Sequence, residues 1–98
     1  MELELKFFAT FRAAVGQKFL EREVPDDATV GDVLASLEAE YDGLEGKLLD
    51  DEGELLPQLS ILLNGQDVVH QEGVDTRLSP DDTLAIFPPV AGGTESEG

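Results

Sequence analysis

The stretch Thr83-Leu84-Ala85-Ile86-Phe87-Pro88-Pro89-Val90-Ala91-Gly92-Gly93 passes from an apolar strand to a thin, extended tail within a few residues. Its first five residues read as a buried strand. Pro88 and Pro89 have no backbone N–H and a fixed φ, so the ladder cannot continue past them and the chain must leave the sheet. Paired prolines favour the extended polyproline II conformation, which has little entropy left to lose on entering a partner's groove. Gly92 and Gly93 then remove all side-chain bulk, allowing the backbone into a channel too narrow for a Cβ. Such a tail can present a carboxyl group. The same residues also read as an ordinary Pro/Gly boundary, where a domain stops and a terminus begins.

Moving outward from this stretch, Gly73 and Ser79-Pro80-Asp81-Asp82 are turns that lead into the final strand. Asn64-Gly65 is a two-residue hairpin signal, with a central strand before it at residues 59–63 and a returning strand after it at 66–70. Asp50-Asp51-Glu52-Gly53-Glu54 lacks the alternating ligands and later bidentate Glu of an EF-hand loop, and reads as a solvated turn. Leu44, Leu48 and Leu49 suggest a short helical turn. Before them, Val30, Val33, Leu34, Leu37 and Tyr41 fall at helical spacing, with Glu38, Glu40 and Asp42 on or near the outer side. Thr29 and Asp32 form a capping-box pattern with Asp in place of Glu, and Gly43 reads as a left-handed C-cap.

At the front of the chain, Leu3, Leu5 and Phe7 alternate against Glu2, Glu4 and Lys6, the period of a half-buried strand. Phe8 breaks that pattern and is expected to cover a second surface. One helical turn over residues 10–15 ends at Gly16. Residues 17–24 alternate again, with Leu20 and Val24 on one face and Phe19 on the other, before the turn Pro25-Asp26-Asp27-Ala28. The order is strand, strand, helix, strand, strand, strand, with one principal helix to cover one sheet face.

Ninety-eight residues make one domain with a modest core and leave no room for an elaborate cleft. The apolar runs are too short for a membrane helix or a signal peptide, so the expectation is a soluble, cytoplasmic chain. With no cysteine, any sulfur chemistry must use an atom carried on the backbone or supplied by a partner. Twenty-two acidic against six basic residues give a net charge of −16, which argues against nucleic-acid or anionic-membrane partners. That charge reads chiefly as solvation for a salt-rich cytoplasm, and alternatively as the complement of a partner's positive patch. His70, the only histidine, has no Ser or Cys partner in a recognisable arrangement and reads as a surface residue. Gly92-Gly93 precedes no helix, so it is not a phosphate loop. No catalytic residue, metal site or bound cofactor is expected within the chain.

These residues together resemble the MoaD/ThiS family of ubiquitin-like sulfur carriers, and within it the small archaeal modifier proteins of haloarchaea. The likeness runs from Met1 to Gly93. It is carried by Leu3-Glu4-Leu5-Lys6-Phe7-Phe8-Ala9-Thr10-Phe11-Arg12, Thr29-Val30-Gly31-Asp32-Val33-Leu34, Leu62-Leu63-Asn64-Gly65 and the terminal motif. It implies an α+β, ubiquitin-like β-grasp fold: a mixed sheet of about five strands packed on one main helix, the first and last strands parallel in its middle. The body would span residues 1–91 and the tail residues 92–98.

The resemblance also implies a chemistry. A separate ATP-dependent activating enzyme of the MoeB/ThiF type would adenylate the terminal glycine carboxylate. That carboxylate then becomes a thiocarboxylate, delivered to a MoaE-like large subunit during molybdopterin synthesis, or is joined to a target lysine as an isopeptide. Carried to this sequence, Gly93 is the reacting residue, Gly92 threads with it, and Phe87, Pro88, Pro89 and Val90 form the docking segment. Lys6, Lys18 and Lys47 are candidate acceptors for self-linkage. From Pro88 the tail extends at most about 17–18 Å to Gly93.

One departure matters: Thr94-Glu95-Ser96-Glu97-Gly98 follow Gly93, whereas the active carriers end at the second glycine. Removal of this extension by a processing metalloprotease is the expectation, and its retention in an inactive or binding-only relative is the alternative. Three functions therefore stand: sulfur carrier, protein modifier, and a non-reacting interaction domain whose sheet face binds a partner.

Overall fold

The alternation of Leu3, Leu5 and Phe7 builds β1 (Glu2–Phe7), which buries every second residue. The chain is described over residues 1–88 by a computed structural model. Helix α1 (Ala9–Val15) follows directly and closes on Gly16, whose φ of 92° is the left-handed value a C-cap glycine supplies. It is about two turns long, against the single turn expected. β2 (Phe19–Glu23) returns antiparallel to β1, in register from Glu2↔Glu23 to Lys6↔Phe19.

Helix α2 (Val30–Glu40) starts where the capping box places it. Thr29 Oγ1 accepts from Asp32 N at 3.3 Å and Asp32 Oδ2 accepts from Thr29 N at 3.1 Å, satisfying two N-terminal donors. Its end differs from expectation. Tyr41, in extended geometry, donates its N–H to the Leu37 carbonyl and stops the helix there. Gly43 lies instead within a single 3₁₀ turn, Asp42–Leu44, with no positive φ. Its missing side chain serves packing, because a Cβ there would stand 2.7 Å from Ala14 Cβ on α1.

Glu38, read from the sequence on or near the outer side of α2, turns back into the fold. Its Oε2 accepts from the N–H groups of Leu48 and Leu49, both at 2.9 Å, and so anchors the loop after the 3₁₀ turn. In the acidic stretch that follows, Asp50 Oδ1 accepts from Glu52 N and Glu54 N at 2.8 and 3.0 Å. That carboxylate staples a turn.

β3 (Ser60–Leu63) and β4 (Gln66–Asp67) form the hairpin expected at Asn64-Gly65, where φ values of 52° and 87° turn the backbone in two residues. The returning strand is shorter than residues 66–70. Asp67 accepts from Val69 N at 3.0 Å and bends the chain into a 3₁₀ turn, Val68–His70, that buries Val68. The final strand, β5 (Thr83–Phe87), enters between β1 and β3. The sheet order is β2-β1-β5-β3-β4, with β1 and β5 parallel and the other neighbours antiparallel.

One face of this sheet is the core. Leu3, Leu5, Phe7, Ile61, Leu84 and Ile86 are sealed against Val30, Val33, Leu34 and Leu37 of α2, with Phe11, Leu44, Leu48 and Val68 closing the sides. Each such side chain contributes roughly 1.5–3 kcal/mol by leaving water, enough to hold the one main helix on the sheet. The opposite face carries no helix among the described residues. No helix among them is long and apolar enough to cross a membrane.

Candidate functional site

β5 brings the chain to Phe87 and Pro88 at a defined place in the sheet. The parallel register that pairs Phe7 with Ile86 brings Phe8 beside Phe87 one rung further on, and their rings stack with centroids 4.2 Å apart and planes 4° from parallel. Side chains alternate across a strand, so this pair lies on the open face while Phe7 and Ile86 fill the core. Phe8 thus covers a second surface, as its break in the sequence pattern suggests.

Phe19 extends this aromatic platform on β2 and keeps half its surface exposed. The Lys18 ammonium lies 5.3 Å from the Phe8 ring centre and 5.4 Å from that of Phe19; the Lys6 ammonium lies 5.7 Å from the Phe19 ring centre. Cations at these distances are held by the ring quadrupoles, and their alkyl stems cover apolar surface. Away from the platform the same face turns acidic. Glu4 sits opposite Glu21 and Glu2 opposite Glu23, two rungs of like charge. The open face therefore runs from carboxylates at one end to lysines and aromatic rings at the end where the tail begins.

Pro88, the last described residue, borders two grooves. One, of about 470 Å³, is lined by Gln58, Ser60, Leu62, Phe87 and Pro88. The other, of about 300 Å³, is lined by Thr10, Phe11, Gly46, Lys47, Leu56 and Pro88. Lys47 precedes the loop residues held by Glu38, which fixes the wall on that side. Of the sequence-derived candidates, Phe87, Pro88, Lys18 and Lys47 thus meet at the end of β5, while Lys6 lies further along the open face, over Phe19. Pro89, Val90, Gly92 and Gly93, and the expected boundary between residues 91 and 92, lie outside the described residues. His70 is exposed on its 3₁₀ turn. No cluster of His, Asp or Glu among the described residues is arranged to hold a metal. The stacking partner Phe8 and the platform residue Phe19 were missed as site residues, although Phe8 broke the alternation after β1 and Phe19 stood on the face of β2 opposite Leu20 and Val24.

A mixed sheet with parallel central strands and one main helix across one face, its last strand followed in the sequence by Pro88-Pro89 and Gly92-Gly93, points to a ubiquitin-like β-grasp carrier or modifier. The chain belongs to the ThiS family, whose sequence profile matches residues 5–93. It is 61% identical over 93 residues to small archaeal modifier protein 3 of Haloferax volcanii, covering 95% of this chain and all of that protein. A putative sulfur carrier protein of Archaeoglobus fulgidus is 37% identical over 82 residues, covering 83% of this chain and 91% of the relative. The crystal structure of small archaeal modifier protein 1 from Haloferax volcanii superposes with a TM-score of 0.80 at 34% identity, over 95% of this chain and all of that one. A chain of the Amycolatopsis orientalis BexX/CysO complex superposes with a TM-score of 0.76 at 28% identity, over 93% and 99% of the two chains. The related proteins are small carriers and modifiers.

Proposed function

We propose that this chain is a cytoplasmic sulfur carrier that works through a thiocarboxylate on Gly93. The observation that carries the reading is the course of β5: a strand locked in the middle of the sheet ends at Phe87, prolines follow at once, and the family match stops at Gly93. A rigid body with its reacting group on a thin tail lets the body dock outside an enzyme while the carboxyl group travels inside. The chain supplies no catalytic side chain and binds no cofactor in this reading. A MoeB/ThiF-type enzyme brings ATP; a Gly93 carboxylate oxygen attacks the α-phosphate, pyrophosphate leaves, and the acyl-adenylate becomes open to attack. Hydrosulfide supplied by a partner then attacks the acyl carbon, AMP leaves and a proton is lost, and the resulting thiocarboxylate is delivered to a MoaE-like large subunit for molybdopterin synthesis. The BexX/CysO complex among the similar structures supports a carrier that docks on another protein.

A second reading has its own support in the relatives named as modifiers. The same Gly93 adenylate would then be attacked by a lysine amine of a target protein, releasing AMP and forming an isopeptide bond. Both reactions require residues 94–98 to be removed first, a step we assign to a processing metalloprotease.

Intact-mass measurement of the protein isolated from its own cells tests the reading. The expected species ends at Gly93, with a fraction in which one oxygen is replaced by sulfur. Target peptides bearing the Gly93 remnant on lysine, without that sulfur form, would favour the modifier. A chain that keeps residues 94–98 under every growth condition would leave a non-reacting interaction domain and defeat both.

A further inference from the structure

Lysine is scarce in this chain, at three residues; Lys18 and Lys47 border the end of β5, and Lys6 lies next to Lys18 across the Phe19 ring. They come from separate segments. Lys6 is on β1, Lys18 just precedes β2, and Lys47 follows the 3₁₀ turn beyond α2. Lys18 reaches the tail root through the stacked Phe8–Phe87 pair, Lys6 through the Phe19 ring it shares with Lys18, and Lys47 through the groove wall it forms with Pro88. Two rungs further along the open face the surface carries only glutamates, at Glu4/Glu21 and Glu2/Glu23. Of the six basic residues, Arg22 is paired with Glu40 and Arg77 lies beside Thr29, so it is the lysines that are sorted to this end, and general solvation of an acidic protein calls for no such sorting.

We propose that Lys6, Lys18 and Lys47 form a cationic collar at the end of β5, and that the protein receiving the residues beyond Pro88 meets it with carboxylates. This rests on the reading of Gly93 as the reacting residue and adds the chemistry of the partner's rim. The occupant is a folded protein surface rather than a polyanion. Lys18 lies over Phe8 at the edge of an apolar floor that continues through Phe87 to Leu62, Lys47 shares a groove with Phe11 and Leu56, and the glutamate rungs on the open face would repel a nucleic acid or polyphosphate laid along it. The net charge of −16 does not forbid an acidic partner. In molar salt the screening length is about 3 Å, so only groups in direct contact are felt, and in the collar those groups are ammoniums. The glutamates at the other end of the face set the direction of docking, because a reversed partner would bring carboxylate against carboxylate.

The test is ATP–pyrophosphate exchange in molar salt with the ThiF-type activating enzyme of the same organism. The substrate is the chain ending at Gly93, which keeps every described residue. Together, Lys6→Glu, Lys18→Glu and Lys47→Glu are expected to raise KM for the chain by about tenfold or more while kcat and the melting temperature hold. The Lys→Gln triple, which removes charge without adding any, falls between this and the parent. The Lys→Arg triple recovers most of the affinity, although arginine cannot accept an isopeptide, and so separates recognition from acceptor chemistry. Asp27→Asn, exposed in the turn before α2, leaves KM where it was. Equal KM for the parent and the Lys→Glu triple would overturn the collar, and so would equal losses in the Lys→Arg and Lys→Glu triples. Exchange absent with the parent as well would overturn the Gly93 reading itself and the collar with it.

Discussion

Gly43 shows how one position can satisfy the sequence rule for one role while performing another. Placed just after a helical pattern, it looks like a left-handed cap, yet the helix has already ended at Tyr41 and φ at Gly43 is not positive. What the site requires is the absence of a side chain: a Cβ would lie 2.7 Å from Ala14 Cβ and 3.3 Å from Ala14 Cα. Gly43→Ala is therefore expected to destabilise the protein by about 1–3 kcal/mol, read from the denaturant midpoint at unchanged slope. Adding Ala14→Gly should return part of that loss, since it removes one side of the clash. Failure of the double variant to recover anything would point back to a backbone requirement at Gly43. The lysines carry a similar lesson. Their identities were plain in the sequence, and all three were marked as acceptors, but their convergence on the tail root depends on contacts between segments far apart along the chain.

Among the elements, those set by local chemistry were legible and those ended by a side chain reaching back were not. The β1 alternation, the Asn64-Gly65 hairpin and the Thr29–Asp32 capping box all appear as read, because each rests on residues within a few positions of one another. Thr29→Ala should accordingly cost about 1 kcal/mol, through loss of the acceptor for Asp32 N, and Thr29→Ser should cost less; thermal melts of the two variants decide it. The errors have physical causes. β4 stops at Asp67 because its carboxylate caps the following 3₁₀ turn, while the apolar Val68 and Val69 mimic a continuing strand. Glu38 has helical spacing for a partly solvated face, but two backbone donors ten and eleven residues away claim it. The parallel pairing of β1 with β5 could not be read from periodicity, since alternation is the same in parallel and antiparallel strands; the family likeness supplied it.

At the scale of the whole molecule, excess negative charge acts on a sheet that already places glutamates directly opposite each other at two rungs. Like charges so placed oppose pairing, and salt relieves them by shrinking the screening length from about 10 Å at 0.1 M to about 3 Å at 1 M. The melting temperature is thus expected to rise steadily with KCl up to molar concentration. Replacing Glu4 and Glu21 with Gln should flatten part of that rise, and a melting temperature indifferent to KCl would show that self-repulsion contributes little to the balance.

The parallel pairing of β1 and β5 also has a mechanical meaning. Parallel neighbours have their free ends on opposite sides, so tension applied between the start of β1 and a load attached beyond β5 pulls the two strands past one another. Every rung from Glu4↔Thr83 to Phe7↔Ile86 then bears the load at once, in shear, instead of opening one after another like a zip. Whatever is tethered beyond β5 is thus resisted by the whole β1–β5 seam together.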